Sequence, residues 1–208
     1  MTVVIKTLSR RERSKVECRT RIIEAGVRLF GERNIDAVTV DDIAAAADVG
    51  KGTIYNYFRT KEDIVVAFMA AFERKVQARL RTLDTADRPL AETLTRFIRL
   101  QLRLKEPYHN FVRVFFAQMF LHTPQFVPYM AEIHQLTRAT TEALFLALQK
   151  RHAVRTDLSL EDLTLVFGNV QLGLSALWAI EGPPFRATNH AVQREIALFC
   201  EGLETRKR

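Results

Sequence analysis

The chain has 208 residues, 48% hydrophobic and 26% charged, long enough to bury a sizeable core and too apolar for a disordered polymer. Eight glycines and six prolines are too few for a sandwich or barrel built on many tight turns. A formal charge of +7 favours a polyanionic partner.

Cys18 and Cys200 lie far apart and match no metal or disulfide spacing, which suits a reducing, cytoplasmic setting. Met1–Ile5 is too short for a signal peptide, and no run of about 18 apolar residues is expected to span a bilayer. Nearly every segment has helical period, so an all-α fold is predicted.

The first helix is expected from about Ser14 to Glu32, with Ile22, Gly26, Leu29 and Phe30 on its buried face. Arg10, Arg11 and Arg13 precede it as a basic arm, either reaching an adjacent groove or forming a solvated tail. Asn34 follows at a position that tolerates left-handed geometry. Thr39 with Asp42 makes a capping-box-like start for a short helix ending at Asp48-Val49-Gly50. A second short helix begins near Lys51 and includes Ile54, Tyr55 and Phe58. Two short helices joined by a three-residue turn form a helix-turn-helix. Thr60 then caps a long helix, 61 to about 83, striped by Val65, Phe68, Met69, Phe72 and Val76.

Further helices are expected from Asp87-Arg88-Pro89 to Glu106, from Tyr108 to Leu121, and from Thr123-Pro124 toward Arg151. Pro128 allows a start of the last delayed by a turn. Ser159 and Asp162 open one that ends at Glu181-Gly182, and a final helix begins near Asn189.

The stretch IIEAGVRLFGERNIDAVTVDDIAAAADVGKGTIYNYFRTKEDI, Ile22 to Ile64, closely resembles the DNA-binding region of the TetR family of bacterial regulators. The resemblance rests on the Leu29-Phe30 end of the first helix, Thr39-Val40-x-x-Ile43-Ala44, Lys51-Gly52-Thr53-Ile54-Tyr55, Tyr57-Phe58 and Lys61-Glu62. Asn34 and Asp48 stand where the family usually has Gly, and Gly50 replaces a frequent Ser or Thr. Gly50 supplies no hydroxyl for a cap or a phosphate contact. The resemblance implies a helix-turn-helix domain over 1–62 and a helical effector-binding and dimerisation domain over 63–208. It implies a double-stranded DNA operator, a homodimer and a small-molecule effector, and no cofactor.

Independently of that resemblance, Gly50-Lys51-Gly52-Thr53 gives a slim helix start that can enter the major groove. Lys51, Thr53, Tyr55 and Asn56 offer a cation, a hydroxyl, a ring and an amide to base edges or backbone. The alternative for Tyr55 and Tyr57 is a place in the core. By resemblance, Thr39, Tyr57 and Lys61 hold phosphates.

The resemblance implies an effector site among the central helices, here a hydrophobic pocket. Its walls would be Phe68, Phe72, Phe97, Phe111, Phe115, Met119 and Trp178. His109, Arg113, Gln118, His122 and Gln171 are candidate polar contacts. The alternative is that these aromatics are simply core. The segment 159–181 is apolar on more than one face, so Val166, Val170, Gly173, Leu174 and Leu177 are expected to join Val192, Ile196 and Phe199 in a two-fold interface. Burial within one chain is the alternative.

Two rival functions have different chemistry. An all-helical enzyme finds no support in a phosphate loop, a zinc-type histidine pair or a nucleophile motif. A nucleoid- or protein-binding relative would keep the DNA-binding head but sense no ligand.

Overall fold

A computed structural model describes residues 9–33, 35–84, 88–120 and 127–203; for 118–120, 127–130, 132 and 133 it describes the helical backbone. The described residues are helices and connections without strands. The chain divides into two compact units, 1–68 and 69–208.

In the first unit, α1 (Arg10–Glu32) begins a turn earlier than its apolar periodicity indicates. Ser9 caps it: the Ser9 hydroxyl accepts from the Glu12 amide at 3.2 Å, and Glu12 accepts from the Ser9 amide at 2.8 Å. This reciprocal bonding satisfies two donors that would otherwise be orphaned at the helix start. Arg10, Arg11 and Arg13 are therefore helical, which corrects the expectation of an arm ahead of the helix.

A short 3₁₀ turn, Ile35–Ala37, leads to α2 (Val40–Ala47) and α3 (Lys51–Tyr55). Thr39 and Asp42 make the expected box, and Asp48 takes φ 53°, the left-handed geometry anticipated for it. Phe58 lies just past α3 rather than within it. Asn34 lies outside the described residues. Ile22, Phe30, Ile43, Ile54 and Ile64 are wholly buried and set the mutual angles of these helices.

Helix α4 (Lys61–Leu80) runs from one unit into the other. The second unit adds α5 (Leu90–Lys105), α6 (His109–Phe120), α7 (Val127–Lys150), α8 (Leu160–Glu181) and α9 (Arg186–Leu203). Helix α8 packs against α5, α6, α7 and α9. Phe145, Phe167 and Phe199 form an aromatic cluster with centroids 5.4–6.2 Å apart.

By length and composition α8 is apolar enough to cross a membrane, contrary to the expectation of no such run. Its pattern is nevertheless that of a core helix. Leu163, Phe167, Leu174 and Trp178 are buried, as are the polar Thr164, Gln171 and Ser175, and an isolated span in lipid has no use for such a polar face.

Candidate nucleic-acid interface and effector cavity

Helix α3 presents Gly52, Tyr55 and Asn56 to solvent; Tyr55 is 52% exposed, so it is not a core residue. Among the described residues no side chain or other element lies within 4 Å of a Cβ built on Gly52, so this edge of the helix is unobstructed. Gly50 caps α3 without a side-chain bond. Thr53 is half-buried, facing α1.

Several expected phosphate ligands carry other duties. The Thr39 hydroxyl donates to Asp42 Oδ2 at 2.8 Å and accepts from the Asp42 amide at 3.1 Å. The Thr39 amide, which donates to Asp42 Oδ2 at 2.9 Å, and then the Thr39 hydroxyl hold the Asp42 carboxyl below its usual range. Lys51 Nζ lies 2.7 Å from Asp41 Oδ2, which raises the lysine above its ordinary value. Tyr57 is half-buried and shares a groove with Cys18; burial first, then its interaction with Cys18, pushes the phenol upward.

Lys61 departs furthest from its expected role. Its ammonium donates to the carbonyls of Ile35, Val38 and Asp36 at 2.7, 3.0 and 3.3 Å. All three donors of the group are used. Lys61 thus fastens the turn between α1 and α2, and the phosphate role is corrected to a structural one.

The N-terminal half of α1 contributes more than expected. Arg10, Arg11, Lys15 and Arg21 form one wall of an open groove whose other wall is Val49, Thr53 and Tyr57. Lys15 and Arg21 were not singled out from sequence. They continue the stripe of Arg10 and Arg11 at helical spacing, visible once the helix is started at Arg10. Arg13 is exposed and does not line this groove.

The second unit holds a cavity of about 260 Å³. Among the described residues, Phe115 and Gln171 are the predicted effector contacts that line it. Its apolar wall is completed by Met69, Phe116, Leu165 and Leu172. Phe97 and Phe111 are core, the former 6.1 Å from the Phe167 ring. Phe72 packs edge-on to Tyr108 at 5.2 Å, and Phe68 belongs to the first unit. His109 bonds the Trp178 carbonyl at 3.2 Å and packs on that indole, which in turn stacks on Phe185. Arg113 is exposed. The Gln118 and Met119 side chains and His122 lie outside the described residues.

Sequence reading missed the polar floor of the cavity: Glu73, Gln101, Lys105, Thr141, Thr164 and Ser175, all buried. Among the described residues no three metal-ligating side chains converge.

The expected dimer residues divide into two sets. Leu174, Val192 and Ile196 are buried inside their own subunit, correcting their assignment to a free face. Val170, Leu177 and Phe199 are half-buried. Val166 and Gly173 are exposed, and the other exposed large apolar residues of α8 and α9 are Leu165, Leu172, Ile180 and Leu198.

A tri-helical unit with an exposed, glycine-led second helix beside a basic groove defines a helix-turn-helix DNA-binding protein. Residues 22–68 match the family model described as bacterial regulatory proteins, tetR family. Over those residues the chain is similar to that family's DNA-binding region. It is 27% identical to the HTH-type transcriptional repressor KstR2 of Mycobacterium tuberculosis over 188 residues, 89% of this chain and 92% of that one. The HTH-type transcriptional repressor DhaR of Mycobacterium sp. (strain GP1) is 31% identical over 88 residues, 40% of this chain and only 43% of that protein's length. Thermus thermophilus FadR, solved in complex with lauroyl-CoA, has the same fold, with TM-score 0.70 and 21% identity, covering 91% of this chain and 97% of that one.

Proposed function

We propose that this chain is a cytoplasmic homodimeric repressor that binds a palindromic DNA operator through α3 and is released by an amphipathic small molecule held in the second unit. The observation that carries the reading is the exposed Gly52, Tyr55 and Asn56 surface beside the basic groove of α1. Tyr55 and Asn56 are the base-reading candidates. In this reading Arg10, Arg11, Lys15 and Arg21 hold phosphates and set register, which their shared groove supports. The relatives named above are regulators, which supports a binding protein over an enzyme.

The exposed apolar residues of α8 and α9 suit an isologous interface, and a dimer that reads two half-sites presents its recognition helices about 34–36 Å apart, one turn of duplex. Two such heads read a palindrome. Occupation of the promoter by the dimer then blocks transcription by occlusion.

The cavity supports an effector of modest size, since pockets for drug-sized ligands begin near 300 Å³. The lauroyl-CoA bound by the Thermus protein supports a ligand with a hydrophobic part and a polar part. Release from DNA requires that the ligand bind the DNA-incompetent arrangement more tightly, since equal affinity for both shifts nothing.

The test is a fluorescence-anisotropy titration against duplexes selected from a random pool, at two salt concentrations. Tight binding to one palindrome, lost in Tyr55→Ala and Asn56→Ala, is the expected result. Weak, sequence-indifferent and steeply salt-dependent binding in all three proteins overturns the reading.

A further inference from the structure

The cavity floor of the second unit is polar but charge-balanced. Glu73 and Lys105 are both more than nine-tenths buried, with Nζ 4.0 Å from Oε2. That separation is too long for a hydrogen bond, so the ammonium keeps donor capacity. Glu73 is better served, accepting from Gln77 and from Thr137.

Around this pair stand buried acceptors with unused capacity. Gln171 donates to Thr141 at 3.0 Å, yet its Oε1 has no partner among the described residues. The same holds for Gln101 Oε1 and Thr164 Oγ1. Gln101, Gln171 and Thr164 are 3–5% exposed and all line the cavity. Leaving such atoms unpaired is costly, and a ligand group that reaches them recovers that cost.

We propose that the cavity takes an uncharged amphipathic molecule whose inner end carries a hydrogen-bond donor beside a carbonyl, as in a carboxamide or a hydroxy ketone. This rests on the effector reading of the cavity. The carbonyl accepts from Lys105, and the donor bonds Gln101 or Gln171. A carboxylate in the same place would take Lys105 but leave Glu73 as an uncompensated buried anion beside it. An ammonium would meet the converse problem at Lys105. The alkyl or ring portion lies along Phe115, Phe116 and Leu172.

Calorimetric titration of the full chain with octanamide, octanoate and octylamine tests this, since the three share one apolar chain and differ in charge. Octanamide is expected to bind at least tenfold more tightly than either ion. In Glu73→Gln the cation is unbalanced, and octanoate is expected to become the strongest ligand. In Lys105→Met octylamine is expected to lead. A gained preference cannot arise from a protein that fails to fold. Strongest binding of an ion by the unaltered chain, a ranking indifferent to both substitutions, or no binding of any of the three overturns the proposal. Palindrome binding, measured in parallel on the unaltered chain, separates the readings. If it persists, only the ligand proposal falls; if it too is absent, the regulator reading falls with it.

Discussion

Lys51 Nζ is held 2.7 Å from Asp41 Oδ2, tying the first residue of α3 to the first turn of α2. The pair crosses the turn of the helix-turn-helix and keeps the cation at the mouth of α3. It also neutralises that cation just where a phosphate would be met. Removing the carboxylate while keeping its shape therefore exposes a free charge. Asp41→Asn is expected to tighten binding to a random-sequence duplex and to steepen the log–log salt dependence by about 0.9, one additional phosphate contact. Anisotropy over a salt series measures the slope; an unchanged slope would place Lys51 away from the DNA backbone.

Lys61 makes the opposite case, a cation whose donors are spent inside the fold. Its three bonds to the carbonyls of Ile35, Asp36 and Val38 join the start of α4 to the loop before α2. Lys61→Met leaves partly buried carbonyls unpaired, at about 1–3 kcal/mol. The expected outcome is a lower unfolding midpoint with an unchanged salt slope of DNA binding. A slope reduced by about 0.9 with stability intact would restore the phosphate role.

Gly26 is required by close packing rather than by backbone geometry. A Cβ there would lie 2.8 Å from Ile64 Cγ2, and Ile64 is wholly buried with no space to retreat. Alanine in a helix interior gains about 1 kcal/mol over glycine in propensity, but overpacking a dense core costs about 1–3 kcal/mol. Gly26→Ala is thus expected to destabilise the first unit on balance. In the double substitution with Ile64→Ala the two effects should fail to add, because removing Cγ2 relieves the clash. Chemical denaturation of the four proteins reads the coupling; strict additivity would disprove the contact.

These examples show which features can be read along a chain. Thr39 with Asp42, and Ser159 with Asp162, are caps within one turn, so the signal and its partner sit side by side in sequence. Ser9 with Glu12 carries the same signal, but residues 10–15 include no apolar position, so periodicity alone starts the helix too late. The start of α9 depends on Glu181, whose carboxylate accepts from the amides of Ala187 and Thr188 across an intervening loop. No local pattern announces that cap. The cavity floor is harder still. Glu73, Gln101 and Gln171 each interrupt an apolar stripe on a different helix, a hint of buried polarity. That they meet is decided by helix packing. Aromatic content was the more conspicuous signal, and most of it is spent on core contacts such as Phe97 with Phe167 and Trp178 with Phe185.

The Thr39–Asp42 box also has a pH signature. Asp42 titrates below its ordinary value because the Thr39 amide and then its hydroxyl bond the ionised form. A carboxyl depressed by folding contributes stability above its unfolded value of about 3.9 and loses it as pH falls through the folded value. Helix α2 is accordingly expected to keep its cap at neutral pH and to loosen only in strong acid. The Asp42 carboxyl carbon and the Thr39 amide should titrate together in NMR spectra with a midpoint below about 3.9. A midpoint at or above that value would mean the box does not form.

Dimerisation is expected to depend on the exposed apolar residues of α8. Val166 is 50% exposed and Ile180 78% exposed, and Gly173 falls midway between them at heptad spacing. Among the described residues no side chain or other helix lies within 4 Å of a Cβ on Gly173, so a partner helix can approach the backbone there. A stable isologous contact buries about 1,200–2,000 Å² in total, and charges placed at its centre are repeated across the two-fold axis. Val166→Glu with Ile180→Glu thus sets four carboxylates into one apolar surface. The expected result in light scattering is a fall from twice the 23.9 kDa chain mass to that mass alone. Because a single head reads only half a palindrome, operator affinity should fall at least a hundredfold, while weak binding to random duplex is retained. A double variant that keeps the dimer mass would move the interface to another face of the molecule.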